Sequence, residues 1–256
     1  MESRTISTNG VQLHALWRPG DGPAIVIVAG AMADAADFVA VAEAIDHDGP
    51  MFIVDRRGRG GSGPLGTDYD LLTEVADLRA WIDEIGGPVV LVGWSLGGTI
   101  VLETAARDDR AVSVIAYDPP LPPFAAEVLP ALANADLDER VTIINRDISG
   151  LPAEEVAAMQ KTPAWAHLRE LAAPLAAELE ALNSFVPAPG WAAIDASFLV
   201  GELCQGVPPY GPAFERVSAV IPSANVTVLE GHGHLAHVED PAFLGAEIGR
   251  LLRSKQ

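Results

Sequence analysis

Cysteine is almost absent from this sequence, since Cys204 is the only one among 256 residues. A single cysteine excludes an internal disulfide, and nothing in the composition points to an oxidising compartment. Long apolar runs are absent too, because none approaches the roughly 20 residues that a membrane-spanning helix needs. The first residues, Met-Glu-Ser-Arg-Thr, are not followed by the apolar stretch that a signal peptide carries. We therefore expect a cytoplasmic protein with no membrane partner.

Basic residues are scarce as well, at 16 lysines and arginines against 35 aspartates and glutamates, for a formal net charge of −19. A surface with this charge repels phosphate backbones and anionic lipid heads, so we expect no nucleic-acid partner. Its plainer effect is solubility. Hydrophobic residues make up 49% of the chain, which is enough for the core of one sizeable domain.

Short apolar runs alternate with helix-like stretches over the first 119 residues. Asn9-Gly10, between alternating runs at 3–7 and 11–17, predicts a hairpin of antiparallel strands at a sheet edge. Four apolar runs predict buried parallel strands: 24–29, 51–54, 88–92 and 112–117. The stretches between them predict helices: about 34–44, 71–85 and 99–107. This alternation predicts an α/β fold, a mostly parallel central sheet with helices on both faces.

The alternation stops between residues 120 and 194, a stretch rich in alanine, leucine and glutamate. It is too long for an ordinary loop and predicts short helices: about 123–133, 136–147, 152–161 and 163–182. A second independent domain is the alternative. The strand and helix pattern resumes afterwards, with strands at 197–200 and 226–229 and helices at 214–220 and 241–252. We therefore expect residues 1–119 and 195–256 to form a core domain, and 120–194 an inserted helical cap.

Residues 93–98, Gly-Trp-Ser-Leu-Gly-Gly, place a serine between a predicted strand and a predicted helix. The pattern G-x-S-x-G in this setting is that of a nucleophile elbow. Ser95 would sit in strained backbone, and only small residues such as Gly93 and Gly97 fit beside it. The N-terminus of the following helix favours developing negative charge. A glycine-rich turn with an incidental serine is the alternative.

A serine hydroxyl needs a base to become a nucleophile at neutral pH. The sequence Gly-His-Gly-His-Leu-Ala-His at 231–237 follows the last predicted strand, and loops after parallel strands gather at one edge of the sheet. That edge also carries Ser95, so this cluster is the best source of the base. The other three histidines are interpreted as structural or surface residues: His14, His47 and His167.

The three histidines of the 231–237 cluster also have a spacing that resembles a set of metal ligands: His232, His234 and His237. A metal-binding motif of that shape has an aspartate where this chain has Ala236. No other compact group of ligands accompanies the cluster. We therefore expect no metal.

Taken together, the motifs resemble the α/β-hydrolase family over nearly the whole chain. They stand in that family's order: Ala-Gly-Ala-Met at 29–32, Asp-Arg-Arg-Gly-Arg-Gly-Gly-Ser-Gly at 55–63, the elbow at 93–98, and Gly-His-Gly-His at 231–234 with Glu-Asp-Pro at 239–241. The resemblance implies Ser95 as nucleophile, His234 as base, and the backbone N–H groups of Ala31 and Leu96 as oxyanion hole. The family commonly has His-Gly at 29–30, and the alanine here leaves the backbone donors in place. The serine separates this chain from relatives that use aspartate there, the epoxide hydrolases and haloalkane dehalogenases.

The acid that completes the triad is where the sequence departs most from the family. Many members carry it as Gly-x-x-Asp after the strand at 197–200, but this chain reads Gly-Glu-Leu-Cys, which puts Cys204 at the acid position. Other members place the acid after the strand that follows the elbow helix, which here ends in Tyr-Asp at 117–118. We therefore expect Asp118, rather than the nearby Glu202, to be the acid. A turn-capping aspartate is the alternative.

The resemblance implies a cofactor-free serine hydrolase that cleaves an ester, lactone, thioester or similar acyl bond of a mostly apolar small molecule through an acyl-enzyme. The cap is expected to cover the nucleophile, and three residues to line an apolar pocket, with ordinary core as the alternative for each: Met32, Trp94 and Trp165. The arginines of the 55–63 loop are expected to be mainly structural, with an anion site as the alternative. Two other functions stay open, a non-hydrolytic reaction on the same fold (cyclisation, elimination, C–C cleavage or acyl transfer) and ligand binding with a decayed triad.

Overall fold

An eight-stranded sheet forms the centre of the computed structural model, which describes residues 1–254. Its strands are β1 (Glu2–Thr8), β2 (Val11–Arg18), β3 (Ala24–Val28), β4 (Met51–Val54), β5 (Val89–Trp94), β6 (Ala111–Tyr117), β7 (Ala196–Gly201) and β8 (Asn225–Leu229). They lie in the order β1-β2-β4-β3-β5-β6-β7-β8. β2 is antiparallel to β1 and β4, and the other neighbours are parallel. The predicted α/β class with a mostly parallel sheet is confirmed.

The hairpin between β1 and β2 turns at Asn9 and Gly10, which have φ values of 47° and 77°. Both angles lie in the left-handed region, and a two-residue turn of this kind matches the twist of the paired strands. Thr8 therefore pairs directly with Val11. The hairpin closes one edge of the sheet, far in strand order from β5 and β6.

Helices cover both faces of the sheet. They are α1 (Val39–Ala44), α2 (Leu71–Ile85), α3 (Leu96–Ala105), α4 (Leu129–Asn134), α5 (Leu137–Ile143), α6 (Ala153–Met159), α7 (Ala164–Leu171), α8 (Leu175–Ser184), α9 (Tyr210–Val220), α10 (Ala236–Glu239) and α11 (Pro241–Arg253). α1 and α11 pack on one face, while α2, α3 and α9 pack on the other. None of these helices, all within residues 1–254, is long and apolar enough to cross a membrane.

Residues 120–194 contain helices α4 to α8 and no strand of the described sheet. The single helix predicted at 163–182 is wrong, because the chain forms α7 and α8 with a turn between them. Pro174 lies at that turn, and proline has no N–H to continue a helix. The stretch predicted as one helix at 34–44 is a 3₁₀ turn at Ala35–Phe38 followed by α1. The last two residues of the predicted core range 195–256 lie outside the described residues.

Candidate active site

Ser95 stands alone between β5 and α3, with φ 54° and ψ −126°. A residue with a side chain is rarely found there, so this backbone is strained and must be held by its surroundings. A Cβ atom on Gly93 would meet the backbone of Gly97, and one on Gly97 would meet the carbonyl of Val28. The Ser95 N–H also donates to the Tyr117 carbonyl at 2.8 Å. The two glycines and the neighbouring strand therefore maintain the turn that presents the hydroxyl.

His234 lies in the loop after β8, and its Nδ1 is 3.1 Å from Oδ2 of Asp118. Asp118 follows β6, and its other oxygen accepts the Gly201 N–H at 3.1 Å. The Asp118 side chain is 2% exposed and that of His234 is 10% exposed. A carboxylate held at Nδ1 favours the tautomer with the proton there, which leaves Nε2 as the acceptor that a general base needs.

Two other side chains stand near the acid position, Glu202 and Cys204. Glu202 contacts a backbone N–H instead of the imidazole, and Cys204 carries no charge. Glu202 accepts the N–H of Gly231 at 2.7 Å, at the start of the histidine loop. Cys204 has its sulfur within 4.8 Å of ligand atoms of Asp118 and His234. Burial, with the nearby Asp118 carboxylate second, raises the pKa of the Cys204 thiol. The residue at the family's usual acid position is therefore a neutral neighbour of the carboxylate that contacts His234.

Ser95 and His234 line one cavity, but no hydrogen bond within residues 1–254 joins Ser95 Oγ to the imidazole. Such bonds are often long without substrate and shorten in the substrate complex. Trp94 fixes the histidine loop, because its Nε1 donates to the His234 carbonyl at 2.8 Å. The Tyr210 ring lies 4.2 Å from the imidazole, centroid to centroid, and packs against it.

Ala31 and Leu96 also line the cavity beside Ser95. Leu96 begins α3, and the first N–H groups of a helix have no partner inside it. Gly30 packs directly on the serine, since a Cβ atom on Gly30 would be 2.7 Å from Ser95 Cβ. The peptide that joins Gly30 to Ala31 therefore runs beside Ser95. Both backbone N–H groups belong to turns that border Ser95.

The cavity has a volume of about 370 Å³ and is bounded on one side by the core and on the other by helices of residues 120–194. Ser95 is 8% exposed at its floor. Most of the lining from residues 120–194 is apolar and includes Phe124, Ile144, Ile148, Leu168, Leu171 and Leu179. The polar lining residues other than Ser95 and His234 include Asp37, Asn145, Ser149, His167 and Tyr210. No lysine or arginine lines it in the described part of the chain.

Of the three residues predicted to line the pocket, two do so in the structure. Met32 and Trp94 line the cavity, but Trp165 does not. Trp165 packs with Val141 and Val156 between α5, α6 and α7, and its Nε1 donates to Asp138 at 2.6 Å. The prediction for Trp165 is therefore corrected, because this indole holds helices of residues 120–194 together.

Sequence reasoning missed several polar residues of the cavity, among them two that lie on α7 and α9. His167, interpreted as structural or surface, lines the cavity, and so does Tyr210. Both lie on helices whose orientation depends on tertiary packing. No local motif marks either residue, so the sequence carried no signal for them.

The three clustered histidines do not converge on a common point. His232 stacks on Phe243 with ring centroids 4.5 Å apart, whereas His237 stacks on Phe38 at 4.9 Å. In residues 1–254 the trio forms no group with metal-ligand geometry. Burial, followed by the nearby His234, lowers the pKa of His237 to about 3. His237 is therefore a neutral ring that packs like an aromatic residue.

We expect His237→Phe to weaken the loss of stability at acidic pH. The pKa of His237 is about 3 in the folded protein and 6.5 as an ordinary value, so the unfolded chain binds more protons between these values. The free energy of unfolding therefore falls as pH decreases from 6.5 to 3, by at most about 1.4 kcal/mol per pH unit for one group. Urea unfolding of both proteins at several pH values checks this. Identical slopes of stability against pH would contradict it.

The arginines of the 55–63 loop pair with carboxylates of α2 and α8: Arg56 with Glu74 and Glu178, Arg57 with Asp77, and Arg59 with Glu178. None of the three lines the described cavity. Each arginine is already paired with a carboxylate of the chain itself, which agrees with a structural role for this loop and not with an anion site for substrate.

The family model described as the alpha/beta hydrolase family matches residues 25–247. The chain therefore belongs to the α/β-hydrolase family. It is similar to the N-formylmaleamate deformylase of Pseudomonas putida, at 32% identity over 120 residues. That stretch is 45% of this chain and 44% of the deformylase, so the match spans less than half of the relative's length.

Solved structures extend the likeness to almost the whole chain. An alpha/beta hydrolase from Sphaerobacter thermophilus is 27% identical with a TM-score of 0.75, over 95% of this chain and 99% of that one. The enol-lactonase from Burkholderia xenovorans has a TM-score of 0.74 over 98% of this chain and 100% of its own, at 17% identity. The second likeness concerns the fold alone. Family membership and the hydrolase names of its relatives support a hydrolase enzyme.

Proposed function

We propose that this protein is a serine hydrolase that cleaves an ester, thioester, lactone or similar acyl bond of a neutral, mostly apolar small molecule through an acyl-enzyme. One observation carries the proposal. Strained Ser95 lies at the floor of an apolar cavity that His234, backed by the buried Asp118 carboxylate, also lines.

The proposed reaction has two halves, acylation of Ser95 and hydrolysis of the acyl-enzyme, and each of these groups acts in both. Ser95 Oγ attacks the acyl carbon while His234 Nε2 takes its proton, and Asp118 offsets the charge of the imidazolium. The N–H groups of Ala31 and Leu96 donate to the tetrahedral oxyanion, with the N-terminus of α3 adding to its stabilisation. The leaving group takes the proton from His234. Water, deprotonated by His234, then attacks the acyl-enzyme, and Ser95 recovers its proton as the acid leaves.

The lining of the cavity supports a neutral substrate. Its walls are mostly apolar, the described lining contains no lysine or arginine, and it includes Asp37. A substrate carboxylate buried there would lose its hydration without gaining a cation, which is costly. The volume of about 370 Å³ suits a small molecule. We propose that the partner of this protein is such a molecule, rather than a nucleic acid or a membrane.

The similarity to a deformylase favours a second candidate, the hydrolysis of an N-formyl amide. The same nucleophile, base and oxyanion donors serve a C–N acyl bond, provided that His234 protonates the leaving amine. The two candidates share the site and differ only in the leaving group. An amide demands more of the acid step than an activated ester does.

We expect neutral esters to be hydrolysed roughly 100-fold faster, in kcat/KM, than matched esters that carry a terminal carboxylate. The measurement compares p-nitrophenyl hexanoate with the p-nitrophenyl monoester of adipic acid, which has the same chain length. A neutral N-formyl amide, assayed by formate release, tests the second candidate. Faster turnover of the carboxylate ester would contradict the proposed substrate class. Absence of hydrolysis across the whole set would favour a non-hydrolytic reaction.

A further inference from the structure

Arg56 follows β4 and is buried to 3% exposure beneath α8. Its Nη1 donates to Glu74 on α2 at 2.9 Å, and its Nη2 donates to Glu178 on α8 at 2.5 Å. The same Nη2 donates to the backbone carbonyl of Gly30 at 3.0 Å. The third contact is not an ion pair, and it reaches the turn that borders Ser95.

The charge on Arg56 is secured by its neighbours. Burial alone disfavours the cation, but Glu178 and then Glu74 outweigh burial and raise the pKa of the guanidinium. Arg59 donates to both carboxylate oxygens of the same Glu178, and it donates to the Leu171 carbonyl instead of that of Gly30. A permanent, oriented cation therefore faces the Gly30 oxygen.

A peptide unit is planar and trans, so its C=O and N–H point in opposite directions. The carbonyl that Arg56 holds belongs to Gly30, and the N–H of that same unit belongs to Ala31. Any rotation of this unit moves both groups together. Gly30 also packs on the Ser95 Cβ, so the unit lies next to the atom that carries the nucleophile.

We propose that Arg56 is a positioning residue for the oxyanion hole. It holds the Gly30 carbonyl so that the Ala31 N–H points toward the oxyanion, and its charge polarises the peptide into a stronger donor. Arg56 also pairs with Glu178 on α8, so this one side chain links a helix of residues 120–194 to the oxyanion hole. This inference rests on the proposed serine hydrolase function, and it adds a residue that touches neither substrate nor nucleophile.

Arg56→Lys tests the inference, because lysine keeps the charge and loses the planar fork that serves three acceptors. We expect kcat for a neutral ester to fall roughly 30-fold or more, since loss of one oxyanion donor costs 10²–10³. KM should stay within about threefold, because the substrate itself is not touched. Affinity for an alkyl boronic acid, whose adduct with serine is tetrahedral, should fall with kcat. Affinity for the neutral alkyl alcohol of the same chain length should stay unchanged.

Arg59→Lys is the matched control, because Arg59 is equally buried and shares Glu178 without contacting Gly30. We expect it to lose stability like Arg56→Lys but to keep kcat within about threefold. If Arg56→Lys does not fold, the charge-balanced variant Arg56→Met/Glu74→Gln replaces it, since the Arg59–Glu178 pair then remains. The same fall in kcat and boronate affinity is expected of it.

A folded Arg56 variant that keeps kcat and boronate affinity within threefold overturns the inference. An equal loss in Arg59→Lys overturns it too, because the effect would then come from the ion pairs alone. Failure of the proposed function has a different signature: the wild-type protein would not react with a fluorophosphonate probe, whatever residue stands at 56. Labelling of the wild type with slower labelling of the Arg56 variant supports both the proposed function and the role of Arg56.

Discussion

Ser95→Ala should lower kcat for a neutral ester by roughly 10⁶-fold, the size of effect known for the loss of a triad serine. The reason is that Ser95 Oγ is the proposed attacking atom. Alanine can occupy the strained turn at this position without disturbing the fold. Steady-state turnover of the purified variant measures this, with circular dichroism to confirm folding. The residual rate should come only from binding and the oxyanion donors.

Ser149→Ala is the control for that experiment. Ser149 is a serine in the lining of the same cavity, away from the elbow. We expect its loss to change kcat by less than about threefold, because it holds no place in the proposed proton path. Retention of activity by Ser95→Ala together with its loss in Ser149→Ala would contradict the assignment of the nucleophile.

Asp118→Asn should lower kcat by roughly 10⁴-fold, since an amide at this position favours the wrong tautomer of the base and no longer offsets its charge. The carboxylate contacts His234 Nδ1 at 3.1 Å and is held by the Gly201 N–H. Asparagine is nearly the same size, so the fold should persist. The measurement is kcat at several pH values, with circular dichroism as the check on structure.

Glu202→Gln is the matched control, because Glu202 was the competing acid and contacts the Gly231 N–H instead of an imidazole. A glutamine oxygen can accept the same hydrogen bond, so we expect kcat to stay within about threefold. If Glu202→Gln loses turnover while Asp118→Asn keeps it, the proposed acid is wrong.

The fold, the turn that carries Ser95 and the loop that carries His234 could be predicted from sequence because their signals are local. The glycines and serine at 93–98 lie within six residues, directly after a predicted strand, and a histidine loop after the last strand must reach the same edge of a parallel sheet. Asp118 is expected from the resemblance to family members that carry the acid after this strand, and the strand order places β6, which it follows, beside β5. These predictions depend on periodicity and topology, which single residues do not change.

What sequence reasoning missed depends on how distant elements pack. Trp165 has the composition of a pocket residue, yet the side of α7 that faces the cavity carries His167 and Leu168 instead. The contact between Arg56 and the Gly30 carbonyl joins residues 26 positions apart, and Glu178 lies 122 positions from Arg56. Local patterns carry no information on such contacts, because tertiary structure alone brings the partners together.

The most direct test of the central claim is to label the protein with a fluorophosphonate probe and locate the adduct by peptide mass spectrometry. The probe reacts with a serine only when a base and an oxyanion hole activate it. We predict one adduct, on Ser95, formed by the wild type and absent from Ser95→Ala. An adduct on another residue, or equal labelling of Ser95→Ala, would contradict the account of this protein as a serine hydrolase.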